Sequence, residues 1–132
     1  MNKGREEKII ADTCIWIEFF RKKTMISQEL KKLVAGRQVL ISGIIVYELL
    51  QGVKNKKDAE NIKRGTLALG YLEVTSETWL MAGDLFFELR RKGITLPPSD
   101  VLLAALTIES QCRLFTIDRH FDQIPNLKRY QI

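Results

Sequence analysis

The sequence predicts an α/β protein in three layers, α/β/α, with helices on both faces of a mostly parallel sheet of about five strands. Three observations predict it. Short β-rich runs alternate with stretches of helical spacing along the chain. Capping and stop residues fall at the joints between them. No repeat, low-complexity tract or linker interrupts the 132 residues, so residues 1–132 are expected to form a single domain.

Glu7–Ala11 reads as the first strand, with Asp12 and Thr13 at its end and a helix over Cys14–Phe20. Ile26, Leu30, Leu33 and Val34 give Ile26–Ala35 a helical period, and Gly36 stands at its C-cap. Gln38–Ile41 is a second strand. Ser42 is expected to cap a helix that runs to Leu50 and ends at Gly52. Lys54–Lys57 with Asp58 reads as a polar turn, Ala59–Leu69 as a helix closed by Gly70, and Tyr71–Val74 as a strand. Ser76 and Glu77 open a helix that ends in the basic cluster Arg90–Lys92, so both ends complement the helix dipole, and Gly93 stops it. After a loop over Ile94–Pro98, Ser99–Gln111 is a helix and Arg113–Ile117 a strand. Asp118–Phe121 is a short turn broken by Pro125, and Tyr130–Ile132 is expected as a last strand. Trp16, Trp79, Phe86 and Phe87 fall at helical spacing among apolar residues and are expected in the core.

Composition excludes several classes. Hydrophobic residues make up 45% and charged residues 28%, which argues against disorder. The longest apolar run, Val101–Leu106, is far short of the roughly 20 residues of a membrane span. The charged start Met1–Lys8, followed so soon by Asp12, is unlike a signal peptide, so the cytoplasm is the expected location. Cys14 and Cys112 lack CxxC spacing and a histidine cluster, so they are expected to be buried structural thiols rather than zinc ligands. The net charge of +5 favours polyanionic partners, either nucleic acid or an acidic protein segment.

Ligands in a parallel sheet bind beyond the carboxyl ends of its strands. Asp12 and Asp118 stand at two such ends. Glu48 and Asp100 lie early in helices that start near the same edge. Each of these acids adjoins an apolar run, where an unpaired charge is costly to bury. Carboxylates that converge also repel one another. No Lys, Arg or His occupies these four places, so the expected counter-charge is a hard divalent cation, Mg²⁺ or Mn²⁺. Each acid also has a plainer reading as a helix cap, a first-turn acid or a turn residue.

The stretches IIADTCIWIEFF (Ile9–Phe20), ISGIIVYELLQG (Ile41–Gly52), LPPSDVLLAALTIES (Leu96–Ser110) and LFTIDRHFDQIP (Leu114–Pro125) resemble the PIN-domain family, and within it the VapC-type toxins. The resemblance covers nearly the whole chain. It implies that Asp12, Glu48, Asp100 and Asp118 are a metal-binding and catalytic acidic quartet, that the cofactor is Mg²⁺ or Mn²⁺, and that the substrate is RNA. It also implies homodimers and a cognate antitoxin. Thr13 and Thr116 match small hydroxyl positions that support such acids. One position departs from the pattern: where many relatives carry a second acid two residues after the strand-end Asp, this chain has His120, with Asp122 beyond Phe121.

The chemistry so implied is metal-assisted hydrolysis of a phosphodiester, with Asp12 and Asp100 as primary ligands and Glu48 and Asp118 completing the centre. Arg21–Lys23, Lys54–Lys57 and Arg90–Lys92 are candidate phosphate contacts, or simply solvated charge. A nucleophilic triad through His120 lacks a G-x-S-x-G elbow. A phosphatase with Asp12 as nucleophile would want a second acid two residues on, where Cys14 stands. A non-catalytic binding module and an RNA-maturation nuclease without an antitoxin remain as rival readings.

Overall fold

A computed structural model describes residues 7–21 and 24–132. The start of the charged segment Met1–Lys8, and Lys22 and Lys23 of the first basic cluster, lie outside the described residues. The elements run β1 (Ile9–Ala11), α1 (Thr13–Arg21), α2 (Met25–Ala35), β2 (Val39–Ser42), α3 (Gly43–Gln51), α4 (Lys56–Leu67), β3 (Gly70–Leu72), α5 (Ser76–Arg91), α6 (Pro98–Glu109) and β4 (Arg113–Phe115). A 3₁₀ turn over Arg119–Gln123 follows.

All strand pairs are parallel, in the order β3-β2-β1-β4. The path β1→β2→β3 moves one way across the sheet, and β3→β4 returns past β1 to the other edge. Right-handed crossovers therefore put α1–α4 on one face and α5–α6 on the other. Helix packing agrees: α1 meets α2 and α3, α3 meets α4, and α5 meets α6. The three α/β/α layers follow from the crossovers.

The sheet has four strands, one fewer than expected. Tyr130–Ile132 is not a strand. Leu114 instead bridges Arg129, taking a bond from Tyr130 N–H and giving one to the Lys128 carbonyl, at 2.9 Å each. This short segment covers the outer edge of β4 and goes no further.

The strands are buried because both faces are covered. Ile9, Ile10 and Ala11 are all inaccessible, as are Leu114 and Phe115 of β4. Val101–Thr107 is buried without a break, which explains why α6 is apolar all round rather than along one stripe. Thr107 sits within that run by donating its hydroxyl to the Leu103 carbonyl at 2.7 Å.

Several joints differ in detail from the sequence reading. α4 starts earlier, at Lys56, because Asn55 caps it through the Asp58 amide; the supposed polar turn is its first turn. α5 is capped by Thr75 in a reciprocal box with Thr78. Ser42 occupies the N-cap position of α3, yet its buried hydroxyl makes no capping bond. Of the aromatics expected in the core, Trp16 is buried and Phe86 is half-buried against the core, but Trp79 and Phe87 are 59% and 56% exposed. A 3.6 period allots residues to faces, and 79 and 87 fall on the outer face of α5.

Leu103 is 1% exposed at the centre of α6. Leu103→Ala is expected to cost about 2–5 kcal/mol. Urea unfolding checks this: the midpoint should fall with the slope unchanged.

Candidate active site

Asp12 is placed by the sheet. Ala11 registers with Phe115, and the Asp12 N–H continues the ladder to the Phe115 carbonyl at 2.9 Å. The chain then turns into α1, leaving a carboxylate only 7% exposed beside the end of β4. Its Oδ1 accepts the Thr13 amide at 2.8 Å. Its Oδ2 accepts the Thr116 hydroxyl at 2.9 Å and lies 3.4 Å from Cys14 Sγ. Burial pushes the Asp12 carboxyl up, the bonds from Thr116, Thr13 and Cys14 pull it back, and Glu48 adds to the rise.

Two hydroxyls hold the neighbouring acids. Thr13 donates to Glu48 Oε1 at 2.6 Å, tying the second turn of α3 to the first of α1. Thr116, while donating to Asp12, accepts the Asp118 amide at 3.0 Å, which fixes the backbone that carries Asp118. Asp118 Oδ1 in turn accepts the His120 amide at 2.9 Å and caps the 3₁₀ turn. Phe121, buried at 1%, anchors that turn in the core.

Asp100 comes from the other face. It lies in the first turn of α6, where Pro98 starts the helix. A helix N-terminus favours a negative charge, yet the Asp100 carboxyl is pushed up to about 6. Burial is the main cause, followed by repulsion from Asp12, Asp118 and Glu48, with His120 opposing. Asp100 thus feels Asp12, Asp118 and Glu48 at the carboxyl edge of the sheet, and of the four acids it is Asp100 and Asp118 that come within ligand distance of each other, while Asp12 and Glu48 stand further off.

The four positions themselves hold no imidazole, but His120, the position that departs from the family pattern, stands against two of the acids. His120 Nδ1 stands 3.3 Å from Asp118 Oδ1 and 3.7 Å from Asp100 Oδ2. Ligand atoms of Asp100, Asp118 and His120 all lie within 4.8 Å of one another. The signal available was a spacing: an Asp that caps a tight turn brings the residue two places on back over its own carboxylate. Asp122 faces away, paired with Arg129 and, at 3.3 Å, with Arg119. The expectation for Cys14 is corrected. It is half-buried at the pocket wall rather than in the core, 3.7 Å from the Thr116 hydroxyl, and burial with the Asp12 charge pushes its thiol up to about 11. Such a thiol is a neutral donor, not a nucleophile. Cys112 is buried as expected.

Residues 9–127 match the profile of the PIN domain. The chain belongs to the PIN-domain family. Among curated relatives, a protein named Ribonuclease VapC2 from Rickettsia felis is 32% identical over 103 residues, covering 74% of this chain and 77% of that one. A VapC ribonuclease of Mycobacterium bovis is 27% identical over 128 residues, covering 93% and 96%. Among solved structures, that of VapBC2 from Rickettsia felis bound to a DNA fragment from its promoter superposes with a TM-score of 0.80 at 25% identity, over 92% of this chain and 96% of the matched one. The DNA-bound VapBC of Salmonella typhimurium has the same fold, with a TM-score of 0.75 at 23% identity over 95% and 98%. Divalent metals are the general cofactors of PIN nucleases, and the oxygen-rich pocket of this chain has the donor chemistry for one.

A raised carboxyl means that the folded protein holds a proton the unfolded chain has released. The Asp100 contribution to stability therefore falls as pH rises from about 4 to about 6 and stays lost above that. In chelator, Asp100→Asn is expected to melt about 2–5 °C above the parent at pH 7, with the gain gone near pH 4. Paired calorimetric scans at the two pH values test it.

Proposed function

We propose that this chain is a metal-dependent endoribonuclease and the toxin of a toxin–antitoxin pair. The observation that carries the reading is that four carboxylates from four separate elements are gathered at the carboxyl edge of the sheet, with Thr116 holding Asp12 and the Asp118 backbone, Thr13 holding Glu48, and Asp100 and Asp118 within 4.8 Å of each other. The relatives named VapC ribonucleases give the reaction class.

The donor set fits a hard dication, because converging carboxylates need a counter-charge and prefer one ringed by oxygen. Asp12 and Asp100 are its primary holders, with Glu48 and Asp118 completing the centre, and Mg²⁺ or Mn²⁺ is the expected ion. When bound, such an ion lowers the pKa of a water and stabilises charge on the phosphodiester oxygens. The chain's own groups set the stage. Thr116 and the Thr13 amide fix both Asp12 oxygens, and Thr13 turns Glu48 inward. Products are a 3′-hydroxyl and a 5′-phosphate.

Beside Glu48 a groove of about 500 Å³ runs between α1, α3 and α4. Ile17, Leu49 and Ile62 give it an apolar floor, and Arg21 and Lys54 give it positive charge. Among the described residues of the candidate basic clusters, Arg21 and Lys54 line this groove. Arg91 instead pairs with Glu88 at 3.2 Å and stacks on Phe87. RNA phosphates are thus guided along the Lys54 side.

A small protein antitoxin, with a basic side chain for the acidic pocket, is the proposed partner, and the chain is proposed to form a homodimer as a single-domain subunit. Exposed Tyr47 on α3 and Trp79, Leu80 and Phe87 on α5 leave apolar surface for such contacts. No helix among the described residues is long and apolar enough to cross a membrane. The cytoplasm is the proposed site of action.

Purified protein should cleave RNA with Mg²⁺ or Mn²⁺ and stop when the ion is chelated. Asp12→Asn and Asp100→Asn should fall to the chelated background while keeping the parent circular dichroism. Full cleavage by either variant would rule out the assignment. Unopposed expression should arrest growth, and Asp12→Asn should relieve the arrest; growth unaffected by the parent protein would remove the toxin role and leave the nuclease one.

A further inference from the structure

We propose that His120 is itself a metal ligand, so that this centre selects Mn²⁺ and later transition ions over Mg²⁺. The proposal rests on the reading of the four acids as a metal centre, and it concerns a residue outside them.

The geometry comes from the 3₁₀ turn after β4. Its backbone is held on two sides, by the Asp118 cap on the His120 amide and by buried Phe121. The ring of His120 leans back over the pocket, 55% exposed, with Nδ1 at 3.3 Å and 3.7 Å from oxygens of Asp118 and Asp100. An ion about 2.1 Å from each donor spans donor atoms up to about 4.2 Å apart. Both His120 pairs already meet that limit, and the three donors lie within 4.8 Å of one another, so one ion can draw the three side chains together by side-chain rotation. Asp122, the other candidate donor of the turn, is taken by Arg129 and Arg119. The added donor is therefore nitrogen, not oxygen.

That difference sets selectivity. Mg²⁺ favours oxygen and keeps its waters, and gains little from an imidazole. Affinity for nitrogen-containing sites rises along Mn²⁺, Fe²⁺ and Co²⁺. A centre of carboxylates plus one imidazole thus shifts towards the transition ions compared with carboxylates alone. The rival role for His120 is a hydrogen-bond partner of the acids that swings out when an ion enters.

The test uses the full chain with Mn²⁺ alone as the probe. The sequence contains one histidine, so ¹⁵N-histidine labelling of untagged protein reports on His120 and nothing else. Electron spin-echo modulation of bound Mn²⁺ should show a ¹⁴N coupling that becomes ¹⁵N in labelled protein and vanishes in His120→Ala and His120→Asp. In competition titrations, Mg²⁺ should displace Mn²⁺ from His120→Asp at about tenfold lower concentration than from the parent. Stoichiometric Mn²⁺ with no nitrogen coupling in the parent overturns the ligand role and leaves the four-acid centre standing. No Mn²⁺ uptake by the parent, or uptake unchanged in Asp12→Asn and Asp100→Asn, overturns both.

Discussion

The parallel pairing of β1 with β4 is the constraint on which the pocket depends. These strands are about a hundred residues apart in the chain, and their register sets Ala11 against Phe115. One step further on, Asp12 leaves the first strand and Thr116 the second, and a single hydroxyl joins them. A slip of one residue would turn Thr116 to the opposite face of the sheet and part that bond. Nothing local in either segment could align the two. The alignment comes from burying Ile9, Ile10 and Leu114 between two helical layers.

Holding like charges at that edge works against the fold. The Asp100 carboxyl sits where a helix N-terminus should ease its ionisation, and still burial, with repulsion from the neighbouring acids added to it, drives it up. The opposing support is distributed: a backbone amide and a hydroxyl on Asp12, a hydroxyl on Glu48, an amide on Asp118. Each bond satisfies one carboxylate oxygen and also fixes its direction. Stability given up at the pocket is recovered in the apolar interior of the sheet and α6.

Much of this was legible in the sequence, because its signals were local. Alternation of strand and helix gave the layers, and the positions of Asp12 and Asp118 after β-rich runs pointed to the edge at which β1 and β4 end side by side. The errors have a common cause, which is that side-chain direction depends on tertiary geometry. Trp79 and Phe87 have the helical spacing of core residues, but only the packing of α5 on α6 decides which face is covered. Tyr130–Ile132 has the composition of a strand and too few partners to become one. The resemblance marked His120 as a departure from the family pattern, but its nearness to the acids, like that of Cys14, arises from tight turns after the strands.

The burial of α6 on every side has one more consequence. Asp100 sits in the first turn of a helix whose next residues, Val101–Thr107, have no face open to water. Losing one residue inside that helix would rotate everything before it by about 100° against everything after. Either the acid would leave the pocket or a leucine would leave the core. Length variation is therefore better absorbed in the loop over residues 92–97, where Gly93 already adopts a left-handed backbone at φ 80°. The helix acts as a ruler between the interior and the chemistry at the sheet edge, and its length is the part of the chain least free to drift.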